Sequence, residues 1–394
     1  MEGKNFIRTL RLKNFLSYGS PGEEIEMQPL NVIIGANSSG KSNLIEAIEI
    51  LKAIPTDLPT PIRQGGGVSD FLWKGNTNLV AEIEATLDYF WDVPLRYRIS
   101  FTTAGQKLEI VDEVIENQHP FPGKNDVYFF YRYQNSQAIL NVKTSVEGER
   151  SQRSLRREDI ILDQSILSQR KDPDQYPEIT YLNKQFSNIS LYREWHIGRN
   201  SQARMPQKTD LLEHPLLEDG SNLGLFLNNL QYQIGTKNVV DKLKKFYDEA
   251  EEIAPKIYGG TVQIFIREAG LNQPIPATRL SDGTLRYLFL MALLLDPNPP
   301  PMLCIEEPEI GLHPDIIPTI AEMLIEASKR TQIIVTTHSD ALISSLPAES
   351  VLVCERDSTG THLRRLDANQ LKNWLDNYSL GDLWRMGEIG GNRW

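Results

Sequence analysis

The N-terminal segment alternates between hydrophobic and polar residues before it becomes continuously apolar. Residues 6–12 alternate in the manner of a β-strand with one buried face. Residues 24–34 continue as a strand and end in an unbroken apolar run, which indicates a strand covered on both faces. A glycine-rich loop at 35–42 follows, and apolar residues then recur at helical spacing until Pro55 ends the helix. The segment therefore predicts strand, loop and helix in that order.

The middle of the chain has a different pattern. Residues 79–143 contain short, alternating, aromatic-rich runs separated by turn-like segments, which predict an antiparallel meander. Residues 145–210 are polar and show only scattered helical pieces. Beyond them we predict helices over 221–233 and 238–257, followed by a hairpin whose turn contains Gly270.

The C-terminal third returns to alternating strands and helices. The predicted elements are a helix at 284–295, a strand at 302–305, a helix at 315–329, a strand at 332–336 and, after residue 350, two strands and a helix near 368–376. Buried strands of the kind found in parallel sheets therefore lie at both ends of the chain.

This distribution predicts an α/β fold with a parallel-sheet core and an antiparallel β subdomain. We expect residues 1–144 and 259–394 to fold together as one lobe, and residues 145–258 to form an inserted, mixed or mainly helical region. The sequence shows neither an internal repeat nor sustained heptads, so a long coiled coil is not expected.

The loop at 35–42 has the sequence GANSSGKS, which fits the pattern G-x-x-x-x-G-K-[ST]. Its glycines let successive backbone N–H groups point at phosphate oxygens, Lys41 adds a positive charge, and Ser42 offers a hydroxyl to Mg²⁺. The position between a buried strand and a helix suits an anion at the helix N-terminus. We expect the phosphate-binding residues to be Gly35, Ala36, Asn37, Ser38, Ser39, Gly40, Lys41, Ser42 and Asn43.

A second motif places two carboxylates at the end of the strand at 302–305. Glu306 is positioned to hold the water shell of Mg²⁺, and Glu307 can take a proton from an attacking water. His338 directly follows the strand at 332–336, in a position suited to contact with a γ-phosphate.

A third motif, LSDGT, opens the helix predicted at 284–295. Ser281 can serve as the helix N-cap, Asp282 follows it, and Gly283 and Thr284 permit close backbone approach at an anion-binding helix terminus. Taken alone, this motif is equally compatible with a simple capped helix start.

The four motifs occur in the order GANSSGKS, LSDGT, IEEPE and TTHS. Together they resemble the ABC-type P-loop ATPases and, within them, the SMC/RecF/OLD group, over roughly 1–100 and 260–394. The resemblance implies that 35–42 is the Walker A loop and that Glu306 and Glu307 are the Walker B pair. It also implies that 281–284 is the signature, which reaches the nucleotide of the opposite subunit. Residues 309–312 would then form the D-loop, and His338 would be the switch histidine.

Two departures from the family pattern concern the metal and the glutamine loop. Glu306 stands where an aspartate is more usual, and its extra methylene still allows water-mediated contact with Mg²⁺. No clear motif marks the glutamine loop, for which Gln164 or Gln169 is our candidate.

The resemblance implies a switch ATPase with the cofactors ATP and Mg²⁺ that acts as a head-to-tail homodimer. Only 56 residues follow His338, which leads us to expect no Toprim nuclease domain on this chain and a separately encoded effector, nuclease-like or toxin-like. The expected setting is prokaryotic antiviral defence or DNA maintenance. The alternative is a nucleotide-gated scaffold that binds ATP, hydrolyses it negligibly and holds a partner protein.

Composition and charge narrow the range of partners and compartments. The 394 residues are 40% hydrophobic and 24% charged, without an apolar run of the roughly 20 residues that a membrane span needs, so we expect a cytoplasmic protein without a membrane partner. The net charge of −11 disfavours nucleic-acid binding by charge alone, and any DNA contact must be local. We interpret Cys304 and Cys354, both in apolar runs, as buried core thiols.

The best local basic patch is a cluster of four arginines between the predicted meander and the first helices. They are Arg150, Arg153, Arg156 and Arg157. Acidic residues are interleaved with them, which favours a solvated loop over a phosphate-binding groove.

Overall fold

The computed structural model describes residues 3–75, 77, 80–89, 93–144, 150–156, 160–195 and 197–391. Arg157 of the arginine cluster lies outside the described residues. Among the described residues, no helix combines the length and the apolar composition that crossing a membrane requires.

A six-stranded sheet forms the centre of the fold. Its strands in spatial order are β10 (Ser190–Tyr192), β15 (Met302–Glu306), β16 (Gln332–Thr336), β3 (Leu30–Ile34), β17 (Val351–Asp357) and β18 (Gly360–Arg365). The first five run parallel, and β18 pairs antiparallel with β17. Val32 and Ile33 of β3 are both fully buried and belong to different core clusters, because successive side chains point to opposite faces. This explains why β3 is apolar at every position except Asn31, whose side chain bonds to the backbone of Gln28.

An antiparallel sheet of eight strands lies beside it and confirms the predicted meander. Its order is β2 (Glu23–Glu26), β1 (Ile7–Lys13), β4 (Ala81–Leu87), β5 (Leu95–Ala104), β6 (Lys107–Asn117), β7 (Phe129–Gln134), β8 (Gln137–Lys143) and β9 (Arg150–Leu155).

The single strand predicted over 24–34 is wrong, because that segment divides into β2 and β3 in two different sheets. Between them the chain turns at Gln28 and Pro29. The Asn31 side chain accepts from the Gln28 N–H at 2.9 Å and donates to the Gln28 carbonyl at 2.6 Å. This local closure competes with strand continuation.

The prediction of one helix over 238–257 is wrong, because the second half of that segment is a strand of a small third sheet. Its strands are β11 (Gln207–Lys208), β12 (Ala250–Tyr258), β13 (Thr261–Glu268) and β14 (Ile275–Pro276). The helix ends early, as α7 (Thr236–Lys244), and the second half of the segment is β12. Pro255 is unfavourable inside a helix, and Gly259 and Gly260, both with positive φ, turn the chain into β13. The predicted hairpin around Gly270 is confirmed as the pairing of β13 with β14.

Helices pack on the six-stranded sheet and form many of the connections between its strands. They are α1 (Lys41–Ala53), α2 (Pro59–Gln64), α3 (Val68–Phe71), α4 (Ile166–Gln169), α5 (Pro177–Ser187), α6 (Leu223–Ile234), α8 (Asp282–Leu295), α9 (Ile317–Ser328), α10 (Asp340–Ser344), α11 (Ala368–Leu375) and α12 (Leu380–Met386). The helices that pack on one face of the sheet, α6, α8 and α9, share a core with β15 and β16. The core on the other face contains α1, α5 and the eight-stranded sheet.

The region predicted as an insertion contributes one strand to the central sheet. β10 pairs in parallel with β15, in a register that sets Tyr192 beside Ile305. The exact bounds of the three predicted regions stay a prediction.

Both cysteines are buried and unpaired, as predicted. Burial raises the pKa of the Cys304 thiol and of the Cys354 thiol, so both stay protonated at neutral pH.

Candidate nucleotide-binding site

The phosphate-loop sequence connects β3 to α1 in a tight turn that requires glycine. Gly40 has φ of 113° and forms the N-cap of α1 without a side-chain hydrogen bond. A Cβ atom on Gly40 would lie 2.4 Å from the Thr361 hydroxyl and 2.6 Å from the Ser17 hydroxyl. Larger residues are therefore excluded here. Since no side chain caps α1, its first backbone N–H groups remain available to an anion.

The loop is held from outside by a small network of hydroxyl groups. Thr361 donates to the Ser39 carbonyl at 2.7 Å, and Asn43 donates to the Ser17 hydroxyl at 2.7 Å. Ser17 and Thr361 lie far from the loop in sequence, and the motif analysis did not identify either. They fix the backbone on which phosphate recognition would depend.

Lys41 folds back over its own loop. Its side-chain nitrogen donates to the carbonyls of Gly35 and Ala36, each at 2.9 Å. Burial lowers the pKa of the Lys41 ammonium, and the nearby charge of Glu307 acts in the opposite direction. An incoming phosphate would give this ammonium an anionic partner in place of two neutral carbonyls.

The two predicted carboxylates sit at the carboxyl end of β15. Glu307 has φ of +47°, a left-handed conformation unusual for a residue with a side chain, and its N–H donates to the Thr336 carbonyl at 2.9 Å. Its carboxylate lies 3.6 Å from the Nε2 atom of His338. Burial raises the pKa of the Glu306 carboxyl, and Arg193 opposes that effect.

These groups line one cleft of about 390 Å³. Its described lining residues are Asn37, Ser38, Gly40, Lys41, Ser42, Asn43, Glu306, Glu307, Thr336, His338 and Arg356. Of the predicted loop residues, Gly35, Ala36 and Ser39 are absent from this lining and act through their backbone carbonyls instead. Arg356 was not predicted, because its approach depends on the position of β17 in the sheet.

The LSDGT segment lies outside that lining. Ser281 is the N-cap of α8 and accepts from the Thr284 N–H at 3.0 Å, as the sequence predicted. Asp282 pairs with Arg204, and a Cβ atom on Gly283 would lie 3.1 Å from the Gly311 carbonyl. The fold therefore brings the predicted Walker residues and His338 together in one cleft, and the LSDGT segment contributes no residue to the described lining of that cleft.

Arg193 is a site residue that sequence reasoning missed. The pairing of β10 with β15 places it next to Glu306, and its Nε atom lies 3.3 Å from that carboxylate. Its two terminal nitrogens reach Glu46 at 2.7 Å and Glu49 at 2.5 Å, both on α1. One guanidinium thus holds three carboxylates beside the cleft.

Trp195 and Arg286 connect this corner to α8. The Trp195 indole donates to the Glu306 carbonyl at 2.7 Å, and the Arg286 guanidinium carbon lies 4.4 Å from the Trp195 ring centroid. Arg286 also donates to the Glu307 carbonyl at 3.0 Å. Burial lowers the pKa of Arg286 to about 10. These contacts connect the backbone of Glu306 and Glu307, the predicted Walker B pair, to the helix that begins with LSDGT.

Glu309 braces the segment that carries His338. Its carboxylate accepts from the Thr337 hydroxyl at 2.6 Å and from the His338 N–H at 2.9 Å. The third glutamate of IEEPE was the only sequence signal for this contact. It connects the predicted D-loop to the predicted switch histidine.

Comparison with known proteins places the chain in a family. Residues 30–344 match the model of the family described as "AAA domain, putative AbiEii toxin, Type IV TA system". The matched range contains Lys41, Glu307 and His338, which line the cleft. The chain belongs to this AAA-domain family.

Solved structures confirm the predicted ATPase fold. An SMC head bound to the C-winged helix domain of ScpA matches with a TM-score of 0.57 and 16% identity, over 93% of this chain and 99% of that one. An Smc head with an extended coiled coil, bound to the C-terminal domain of ScpA derived from Pyrococcus furiosus, matches with a TM-score of 0.57 and 14% identity, over 94% and 98%. At these identities the likeness concerns the fold alone.

A segment of the chain is also similar to a curated protein, the Old nuclease of Escherichia phage P2. The two are 32% identical over 72 residues, which are 18% of this chain and 12% of that nuclease. This match and the family membership agree with the resemblance to the SMC/RecF/OLD group.

The proposed glutamine-loop residues of this AAA-domain protein do not line the cleft. The Gln169 amide donates to the Gln164 carbonyl at 2.8 Å, and its oxygen accepts from the Ile161 N–H at 3.2 Å. Both glutamines belong to the local structure of α4 and the turn before it.

The donor set of the cleft fits a hard divalent cation together with phosphate. The Ser42 hydroxyl and the Glu306 carboxylate line the same space, and oxygen ligands completed by phosphates and water are those that Mg²⁺ prefers. Within the described residues, no group of three or more His, Cys, Asp or Glu side chains could hold a metal without such help.

Proposed function

We propose that this protein binds and hydrolyses ATP and uses the nucleotide as a switch. The observation that carries the proposal is the meeting of Lys41, Glu307 and His338 in one cleft at the carboxyl end of the parallel sheet. This edge is where open α/β sheets bind their ligands. Family membership and the SMC-head fold support it.

Each side chain has a distinct part in the proposed reaction. The loop N–H groups and Lys41 would bind the phosphates, and Ser42 and Glu306 would hold Mg²⁺, which neutralises charge on the β- and γ-phosphates. Glu307 would orient the attacking water and take its proton. His338, 3.6 Å from the Glu307 carboxylate, would contact the γ-phosphate.

We further propose that the active form is a head-to-tail homodimer. LSDGT does not line the cleft of its own chain, so Ser281, Asp282, Gly283 and Thr284 would cover the nucleotide of a second copy. ATP would then bind the closed dimer more tightly than the open form and shift the equilibrium toward it. Hydrolysis would release the dimer.

The biological setting we propose is prokaryotic antiviral defence or DNA maintenance, with a separate nuclease-like or toxin-like effector. Support comes from the family description, which names the AbiEii toxin, and from the segment similar to the phage P2 Old nuclease. In this scheme DNA would act as a regulator of the ATPase.

Steady-state phosphate release tests the proposed hydrolysis. We expect the wild-type protein to release phosphate from Mg·ATP, and Lys41→Ala to lower the rate by about 100-fold, since it removes a charge that stabilises the transferring phosphoryl group. The rate should be measured with and without DNA. If the wild-type protein binds ATP but releases phosphate no faster than Lys41→Ala under both conditions, hydrolysis is refuted and the scaffold alternative holds.

A further inference from the structure

A second cleft, of about 570 Å³, lies at the end of the eight-stranded sheet and shares no described lining residue with the nucleotide cleft. Its walls are formed by the chain before β5, by the ends of β6 and β7, by β9 and by the start of α5. The volume is in the range of small-molecule sites. The proposed ATPase reaction uses none of these residues.

Aromatic side chains dominate this cleft. Tyr89, Phe121, Tyr128 and Phe130 line it. The Tyr128 ring centroid lies 5.3 Å from that of Phe130 and 6.1 Å from that of Phe121. Phe121 is 43% exposed, although the aromatic rings next to it provide an apolar surface on which it could pack. Rings arranged in this way around open space present surfaces on which a flat molecule can stack.

An ion pair between the partly exposed Arg150 and the buried Glu178 supplies the charged groups of the cleft. Glu178 is 4% exposed, and its two oxygens accept from Arg150 at 2.5 and 3.0 Å. The Arg150 guanidinium carbon also lies 5.0 Å from the Phe130 ring centroid. The two charges cancel, so the described lining carries no net charge with which to attract a phosphate or an ammonium group.

Asn117 adds an unsatisfied hydrogen-bonding group. It lines the cleft, is 3% exposed, and its side-chain nitrogen has no hydrogen-bond acceptor in the structure. Buried amide groups nearly always have a partner, and this nitrogen belongs to a residue of the cleft wall, so a turn of the Asn117 side chain toward the cleft would let a ligand atom supply the missing acceptor. An Asn amide pairs well with the edge of a heterocycle, where donors and acceptors lie side by side.

From these features we propose that the cleft binds an uncharged, planar heterocycle of the nucleobase class. The base would stack on the aromatic walls, and the amide of Asn117 would bond to its polar edge. The neutral Arg150–Glu178 pair means that recognition rests on the base itself, and a phosphate group is not required. The site is separate from ATP binding and gives the protein a place to sense a second small molecule.

Binding of the free nucleosides guanosine, cytidine, uridine and thymidine tests this proposal. Calorimetric titration should show saturable binding of at least one of them to the full chain. Phe121→Ala should weaken that binding by roughly fivefold or more, as expected for loss of a base-stacking surface. Asn117→Ala should also weaken it. Trp374→Ala is the matched control, because Trp374 is 44% exposed and lies outside the cleft.

Affinity for Mg·ATP, measured in the same samples, separates a local effect from misfolding. We expect both cleft variants to keep wild-type ATP affinity. The proposal is overturned if none of the four nucleosides saturates in the low millimolar range. It is equally overturned if Phe121→Ala and Asn117→Ala both bind the nucleoside as tightly as Trp374→Ala does.

Discussion

Replacing Glu307 with glutamine is expected to lower phosphate release by about 100-fold to 10,000-fold while ATP stays bound. The substituted amide cannot accept a proton, and loss of a general base has effects of that size. Glutamine has nearly the same shape, so the left-handed backbone at this position, with φ of +47°, and the bond to Thr336 should survive. Single-turnover phosphate release, together with the fraction of ATP retained on the protein, measures both effects.

The variant should also accumulate the ATP-bound dimer, because the step that opens it is blocked. Glu322→Gln is the matched control, since Glu322 is a surface glutamate whose ion-pair partner is Lys245. We expect the control to keep the wild-type rate. If Glu307→Gln retains more than about a tenth of that rate, Glu307 is not the general base.

Arg193→Ala is the second change with a large expected effect. We expect it to lower turnover by at least about tenfold at neutral pH, a typical cost for losing an outer partner of a metal-binding carboxylate. Burial raises the pKa of the partly buried Glu306 carboxyl, and the charge of Arg193 lowers it. Without the arginine, burial and the nearby Glu46 act unopposed and raise that pKa further.

The sign of the pH dependence follows from this. A higher pKa means that a smaller fraction of Glu306 is ionised at a given pH, so the activity lost at neutral pH should return as the pH rises. The pH profile of turnover should therefore shift toward higher pH for Arg193→Ala. The shift should be much smaller for Arg193→Lys, because lysine keeps the positive charge. Arg385→Ala, at an exposed arginine paired with Asp382, is the control. If turnover of Arg193→Ala falls at every pH and the profile does not shift along the pH axis, Arg193 does not act through Glu306.

The sequence was sufficient for the parts of the site that are contiguous in the chain. GANSSGKS carries its own turn geometry, and the structure shows the same loop between β3 and α1. The glutamates after β15 and the histidine after β16 follow from the rule that parallel strands end at one edge of a sheet. Ser281 was recognisable as an N-cap because capping depends on its own backbone and the next three residues.

The rest depends on strand order, which local patterns do not encode. β10 has three residues, too few to show a period, and its place beside β15 brings Arg193 and Trp195 to the site. The prediction of a helix over 238–257 was wrong because it rested on the spacing of apolar residues alone. That spacing does not reflect how Pro255 destabilises a helix or how pairing with β13 stabilises β12 as a strand. Only the missed position of β10 concerns segments that are distant in sequence, since β12 and β13 are joined by the two-residue turn at Gly259 and Gly260.

The connection from Glu306 through Trp195 to Arg286 gives the proposed switch a physical path. Trp195 contacts the Glu306 carbonyl on one side and the Arg286 guanidinium on the other, and Arg286 belongs to the helix that Ser281 caps. If β15 moves when the nucleotide binds, these contacts would also displace α8. This is the element that the proposed dimer presents to its partner.

The most direct test of the composite site mixes two inactive variants. Lys41→Ala keeps an intact LSDGT segment, and Ser281→Arg keeps an intact phosphate loop. Each alone should lack ATPase activity. An equal mixture forms heterodimers with one complete site, so we expect roughly a quarter of the wild-type rate for a symmetric dimer with independent sites. No recovery on mixing, or a wild-type rate from Ser281→Arg alone, would contradict the account.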